Sequence, residues 1–444
     1  MQQTECQRSY LIYILSIVII VVSSCASLKF KIDKTTLKKY FDTNPVFRES
    51  HSGLVVYDVE EEQVVFEFNR QKHFTPASNM KLLTYYATVK MMPDSIPALE
   101  FCIINDTLFF TGTADPTLLY PNFEYGNTMG FLSENEYQLA YRSKPIADHR
   151  FGPGWSWDDY PYYYSAEKST FPIYGNMVSF KKDSTKSSIL FSPNYFKDQI
   201  EFVEDSSVVD YAATRAEFEN DFIVRYNKAS MDKEDAIPFI YSDQLFVNLL
   251  SDTLDKKIVL IKEIPDCDNE LLYSVPTDSV SKHMLIESDN FLAEHLLLMI
   301  SNQLGDTLSS EKTVHFMMEN NLKELEDEIY WVDGSGLSRY NQVTPNAMVV
   351  ILKSIYNELP KDKVYNLLPA SGTNGTLDVS FQKLKGKIHA KTGSMRHVYN
   401  LSGYLETNSG KTLLFSFMNN NFNVPPSELK NEMEKVLGSI VNDK

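Results

Sequence analysis

From residue 52 onward the chain alternates between two apolar rhythms. Residues 52–59 and 63–69 place Val, Leu, Phe and Tyr at strand-like spacing on either side of the acidic turn at 60–62, which predicts a β-hairpin. Pro76 then punctuates the chain. Beyond it Met80, Leu82, Leu83, Tyr86 and Ala87 set a helical period from Ala77 until Met92-Pro93-Asp94 ends it. Residues 290–302 and 345–356 repeat that period as amphipathic helices. Three more strand-like runs occupy 387–393, 401–406 and 412–418, with Asn408-Ser409-Gly410 turning the last pair. Together the two ends of the body predict one five-stranded antiparallel sheet flanked by helices, an α/β domain with an interrupted middle.

The interruption has a different texture. Residues 99–276 hold short β-like runs rich in Tyr and Phe with frequent turn residues, and little helical period before 243–254. This predicts a mostly β insertion that splits the domain into residues 25–98 and 277–444. Within it, residues 152–160 gather two of the three tryptophans beside Asp158 and Asp159. By residue type alone this is an aromatic packing corner with a solvated acidic turn.

The N-terminus reads as an address. Arg8 precedes an uncharged apolar run from Ser9 to Ser24, short for a membrane span and suited to an export signal over residues 1–24; an uncleaved anchor is the alternative. Val22-Ser23-Ser24-Cys25 resembles the lipobox of bacterial lipoproteins. That resemblance implies that Cys25 carries lipid and tethers the body to a membrane of the cell envelope, in the periplasm.

With 444 residues and 43% hydrophobic content the chain can bury large cores. Its formal charge of −17 excludes a general nucleic-acid binder, which would need clustered Lys and Arg. Cys102 and Cys267 are the cysteines of the body. No metal-ligand spacing occurs, no cofactor is implied, and the two are expected as unpaired thiols, with a disulfide as the alternative.

Three short motifs carry chemistry. Ser78-Asn79-Met80-Lys81 sets a hydroxyl and an amine one helical turn apart, so a lysine desolvated by its surroundings can act as base for a serine nucleophile. Alone it reads as a capping serine followed by a solvated lysine. Ser288-Asp289-Asn290 offers a hydroxyl and an amide two residues apart, which point the same way if the backbone is extended; alone it is an N-cap. Lys391-Thr392-Gly393-Ser394 supplies positive charge, a hydroxyl donor and a residue without Cβ beside which a substrate backbone could lie; alone it is an edge-strand lysine before a turn. The order S-x-x-K, S-D-N, K-T-G, with each motif in its expected helix, loop or strand, is the signature of penicillin-binding proteins and class A β-lactamases.

From about Ser52 to Met418 the chain resembles the class C low-molecular-mass penicillin-binding proteins, the D-alanyl-D-alanine carboxypeptidase/endopeptidase family of serine peptidases. Residues 113–118, 333–339 and 368–377 match further family stretches, and the 210 residues between Ser78 and Ser288 leave room for insertions that class A β-lactamases lack. The resemblance implies a β-lactamase-like transpeptidase fold. It assigns Ser78 as the acylated nucleophile, Lys81 as its base, Ser288 and Asn290 to proton transfer and positioning, and Lys391 and Thr392 to the substrate carboxylate. It also implies an oxyanion hole from the backbone N–H groups of Ser78 and Ser394, and a grip by Asp159 on the free amine of diaminopimelate. Peptidoglycan peptides and β-lactams are the implied ligands. A β-lactamase of the same fold and an inactive peptidoglycan-binding protein are the alternatives. The chain departs from the family pattern at residues 34–37, which show little of the usual N-terminal helix.

Overall fold

The computed structural model describes residues 33–123, 126–183, 188–208, 211–227 and 234–442. The expected export segment, residues 1–24, and Cys25 lie outside the described residues.

The sheet that organises the body draws on both chain ends, as expected. Its strands run in the order Ile388–Met395, Val398–Glu406, Thr412–Asn420, His51–Asp58 and Gln63–Phe68, every neighbour antiparallel. The inner strands are apolar almost throughout because both faces are covered. In the His51–Asp58 strand, Val55 and Tyr57 pack with the helices Lys81–Met91, Asn290–Gln303 and Pro345–Glu358. Leu54 and Val56 point the other way, into a second core closed by the terminal helices Lys34–Thr43 and Pro426–Val441. The helix at residues 34–43 corrects the sequence expectation. Asp33 caps it by accepting from Thr36 N at 3.1 Å, and only Leu37 and Phe41 are buried, so its apolar signal is thin.

The Ser95–Ile104 strand departs from the body and the Glu270–Pro276 strand returns beside it, paired antiparallel. They belong to a second five-stranded sheet, with Glu270–Pro276 at its edge and Ser95–Ile104 next to it, and that sheet has its own core, built around Phe101, Phe110, Tyr141, Phe171 and Phe246. Two three-stranded sheets and the helices Asn127–Glu134 and Asp243–Leu254 complete the segment. Cys102 and Cys267 are joined by a disulfide with an S–S distance of 2.04 Å, contrary to the expectation of free thiols. The reason lies in register. Glu270 pairs with Phe101, which draws a cysteine 165 residues away in sequence alongside Cys102. Among the described residues no helix is long and apolar enough to cross a membrane.

Candidate active site

Ser78 sits on one 3₁₀ turn, Ala77–Met80, which runs directly into the Lys81–Met91 helix. Ala77 enters the turn at φ 49°, a left-handed conformation that residues with a Cβ rarely adopt and that recurs at functional sites. The result leaves Ser78 half-buried and Lys81 wholly buried one turn later.

Lys81 Nζ has three oxygen neighbours: Ser78 Oγ at 3.1 Å, Asn290 Oδ1 at 2.6 Å and the Ser335 carbonyl at 2.7 Å. An ammonium would donate to all three. A neutral amine has two hydrogens and one lone pair. The two carbonyl oxygens then accept both hydrogens, which leaves the lone pair facing Ser78 Oγ, as a base for that hydroxyl requires. Burial lowers the Lys81 pKa to about 8, against the opposing pull of Asp289, Asp333 and Glu294.

Ser288 reaches the site by a route the motif did not suggest. Its φ is 62°, so the stretch is turned rather than extended. Asp289 caps the next helix through Leu292 N at 3.0 Å, and Asn290 is the first helical residue. Ser288 Oγ accepts from Lys391 Nζ at 2.8 Å, while Asn290 meets Lys81. Each lysine therefore has its own hydroxyl. Lys391 is buried too, and desolvation, reinforced by the charge of Lys81, pushes its pKa well below the usual lysine range.

On the Ile388–Met395 edge strand, Thr392 Oγ1 donates to Thr376 Oγ1 at 2.8 Å, and Thr392 and Ser394 face the cleft. Gly393 does not. A Cβ there would stand 2.3 Å from the Pro76 carbonyl, so the glycine is needed for strand-to-turn packing under Ser78 rather than for substrate approach. Asp159, with Asp158, lines the cleft from the inserted segment and accepts from Tyr164 OH at 3.0 Å. Trp157 is 87% exposed and Trp155 donates to Asp333 Oδ2 at 2.8 Å. The aromatic stretch is thus an arm against the cleft, with Phe151 packed on Trp155 and Tyr160. The cleft measures about 1370 Å³ and is also lined by Arg339 and Arg396.

A family model for the D-Ala-D-Ala carboxypeptidase 3 (S13) family matches residues 34–440. The chain belongs to that family. It is a serine DD-peptidase in class. The D-alanyl-D-alanine carboxypeptidase DacB of Haemophilus influenzae is 24% identical over 429 residues, 86% of this chain and 88% of the relative. The penicillin-sensitive carboxypeptidase A of Dictyostelium discoideum is 27% identical over 206 residues, 42% of this chain and 40% of the relative. Among solved structures, penicillin binding protein 4 (dacB) of H. influenzae superposes with a TM-score of 0.69 at 18% identity, covering 93% of this chain and 100% of that one. A further structure of it holds a β-lactam and superposes with a TM-score of 0.63. A predatory peptidoglycan endopeptidase of Bdellovibrio bacteriovorus reaches 0.50 at 16% identity, covering 89% of this chain and 94% of that one. These structures share the fold.

The cleft is also built on residues to which sequence reasoning gave no role. Asn79, wholly buried between the motif serine and lysine, donates to the Lys391 carbonyl at 2.8 Å and accepts from Ser402 Oγ at 2.8 Å, tying the Ser78 turn to the edge strand. Its signal was an amide in an apolar run. Asp333 folds the 333–341 loop by accepting from Gly336 N at 2.8 Å, Ser338 N at 2.6 Å and Asn341 Nδ2 at 2.7 Å. Buried Glu294 accepts from Ser335 N at 2.8 Å. The loop's contribution to Lys81 is a main-chain carbonyl, which no residue type announces.

Proposed function

We propose that this S13 peptidase is an exported, lipid-anchored enzyme that cleaves D-Ala-D-Ala and related DD-linkages of peptidoglycan stem peptides through an acyl-enzyme on Ser78, and that β-lactams acylate the same residue. The observation that carries the reading is the placement of Lys81 Nζ, buried and 3.1 Å from Ser78 Oγ with carbonyl acceptors for both amine hydrogens. In this reading Lys81 takes the Ser78 proton as Oγ bonds to the substrate carbonyl carbon. The N–H groups of Ser78 and Ser394 receive the oxyanion. The C–N bond then breaks as the proton held by Lys81 passes to the leaving amine by way of Ser288, whose hydroxyl oxygen accepts from Lys391. Neutral Lys81 next takes a proton from water as the hydroxide adds to the ester carbon, and returns that proton to Ser78 Oγ as the C–O bond breaks. Lys391 and Thr392 attract the terminal carboxylate, and Asp159 the free amine of the diamino acid.

Residues 25–98 and 277–444 act in this reading as the peptidase domain and residues 99–276 as its inserted domain. The apposed Ser95–Ile104 and Glu270–Pro276 strands support that division. Cys25 is the proposed lipid attachment site, on its sequence context. The activity is tested by incubating the protein with pentapeptide and cross-linked muropeptides and weighing the products. Free D-alanine shows carboxypeptidase action and monomers from dimers show endopeptidase action. Neither product from native protein, or equal product from Ser78→Ala, refutes the reading.

A further inference from the structure

Apart from Ser78 Oγ, the acceptors around Lys81 Nζ are Asn290 Oδ1 and the Ser335 carbonyl, and one short arm of the inserted segment holds both. The arm spans residues 152–164. At its far end the Tyr164 carbonyl accepts from Asn290 Nδ2 at 2.9 Å, which fixes the amide with Oδ1 turned toward Lys81. At its near end Trp155 Nε1 donates to Asp333 Oδ2, the carboxylate that folds the 333–341 loop and so sets the Ser335 carbonyl. Two more bonds fasten the same end: Ser338 Oγ donates to the Pro153 carbonyl at 2.6 Å, and Arg339 N to the Gly154 carbonyl at 3.3 Å. Between these two anchorages the arm presents Asp158 and Asp159 to the cleft.

We propose that this arm is a positioning element for the base: by holding both carbonyl acceptors it aims the Lys81 lone pair at Ser78, with Trp155 as its principal anchor. The inference rests on the reading of Ser78 and Lys81 as nucleophile and base. It gives the inserted segment a part in the chemical step beyond contacting substrate. An untethered loop would let the Ser335 carbonyl drift, and the amine would then spend its lone pair in directions other than the nucleophile. Geometry errors of this kind appear in the rate of acylation rather than in the affinity of the encounter complex.

Trp155→Phe removes the donor and keeps an aromatic ring. Ser338→Ala cuts the arm's bond from the other side and serves if Trp155→Phe does not fold. The control is Trp157→Phe, on the same arm but solvent-exposed. Acylation by labelled penicillin is followed per titrated active site over a range of concentrations, so that the rate constant and the dissociation constant of the non-covalent complex separate. A fall of about tenfold in the rate constant is expected for Trp155→Phe and Ser338→Ala, the size of one hydrogen bond to a charged group, with the dissociation constant and the control unchanged. A purely structural role would lower the number of titratable sites and leave the rate at each one intact. Native-like rates in both variants, or a loss confined to the dissociation constant, would overturn the inference while native labelling stands. Absence of any label on native protein would instead overturn the reading beneath it.

Discussion

Replacing Gly336 by alanine introduces a Cβ where the backbone leading into Ser78, the proposed nucleophile, already lies. An ideal Cβ there stands 1.9 Å from the Ala77 carbonyl oxygen and 2.5 Å from its carbon, and Gly336 has φ 83°. Relief to an ordinary contact needs a separation larger by roughly 1 Å or more. Neither neighbour yields easily: the loop is tied by Asp333, and the Ala77–Met80 turn by Asn79 and Asn400. The left-handed backbone adds about 1–2 kcal/mol once a Cβ is present. Since the Ala77 carbonyl and Ser78 N belong to one peptide group, displacement moves the nucleophile and a proposed oxyanion donor together. A misplacement of about 1 Å costs about 10²-fold in rate. The expected result is therefore a loss of about a hundredfold or more in the acylation rate constant with labelled penicillin, measured on protein shown to be folded by circular dichroism. Acylation within about threefold of native would refute the reasoning, since it would mean that the loop does not constrain the nucleophile.

The acylation rate should rise with pH through a limb near 8, because only neutral Lys81 accepts the serine proton and burial has lowered its pKa to about 8. A lysine of ordinary pKa would place that limb near about 10.4, and a flat profile between about pH 6 and 9 would deny Lys81 the role. Lys81→Arg keeps a positive charge that cannot be surrendered, so acylation should fall at least about 10³-fold at every pH; retention of activity in that variant contradicts a base at this position. The paired substitutions Cys102→Ser and Cys267→Ser open a loop of 165 residues and should cost roughly 2–4 kcal/mol in urea unfolding, while acylation per folded molecule is kept. An unchanged urea midpoint would show that the disulfide contributes nothing to stability.

The sheet was legible because its pattern is local: each of its strands carries its own period, and antiparallel neighbours follow from short turns at 60–62 and 408–410, whereas the helix Pro426–Val441 that closes the second core was not anticipated. The nine polar and small residues of the three motifs and the arm could be named from order and context. How they meet could not. Ser288 arrives through a left-handed turn, and Gly393 serves Pro76, because both depend on backbone from distant parts of the chain. The second acceptor of Lys81 is a main-chain oxygen at Ser335 and the anchor of its loop is Trp155, a tryptophan 178 residues before Asp333. Likewise the Cys102–Cys267 bond follows from strand register, which side-chain spacing does not encode. Interactions between separate elements are where sequence periodicity ceases to inform.

The central claim is that Ser78 is the residue acylated, with Lys81 drawing its proton. Its most direct test is to react the protein with penicillin, digest it, and locate the added mass by tandem mass spectrometry. The account predicts one adduct, on Ser78, absent from Ser78→Ala and retained in His389→Ala, whose imidazole stacks on Tyr365 and takes no part in the site. An adduct on any other residue, or one that persists in Ser78→Ala, would contradict it.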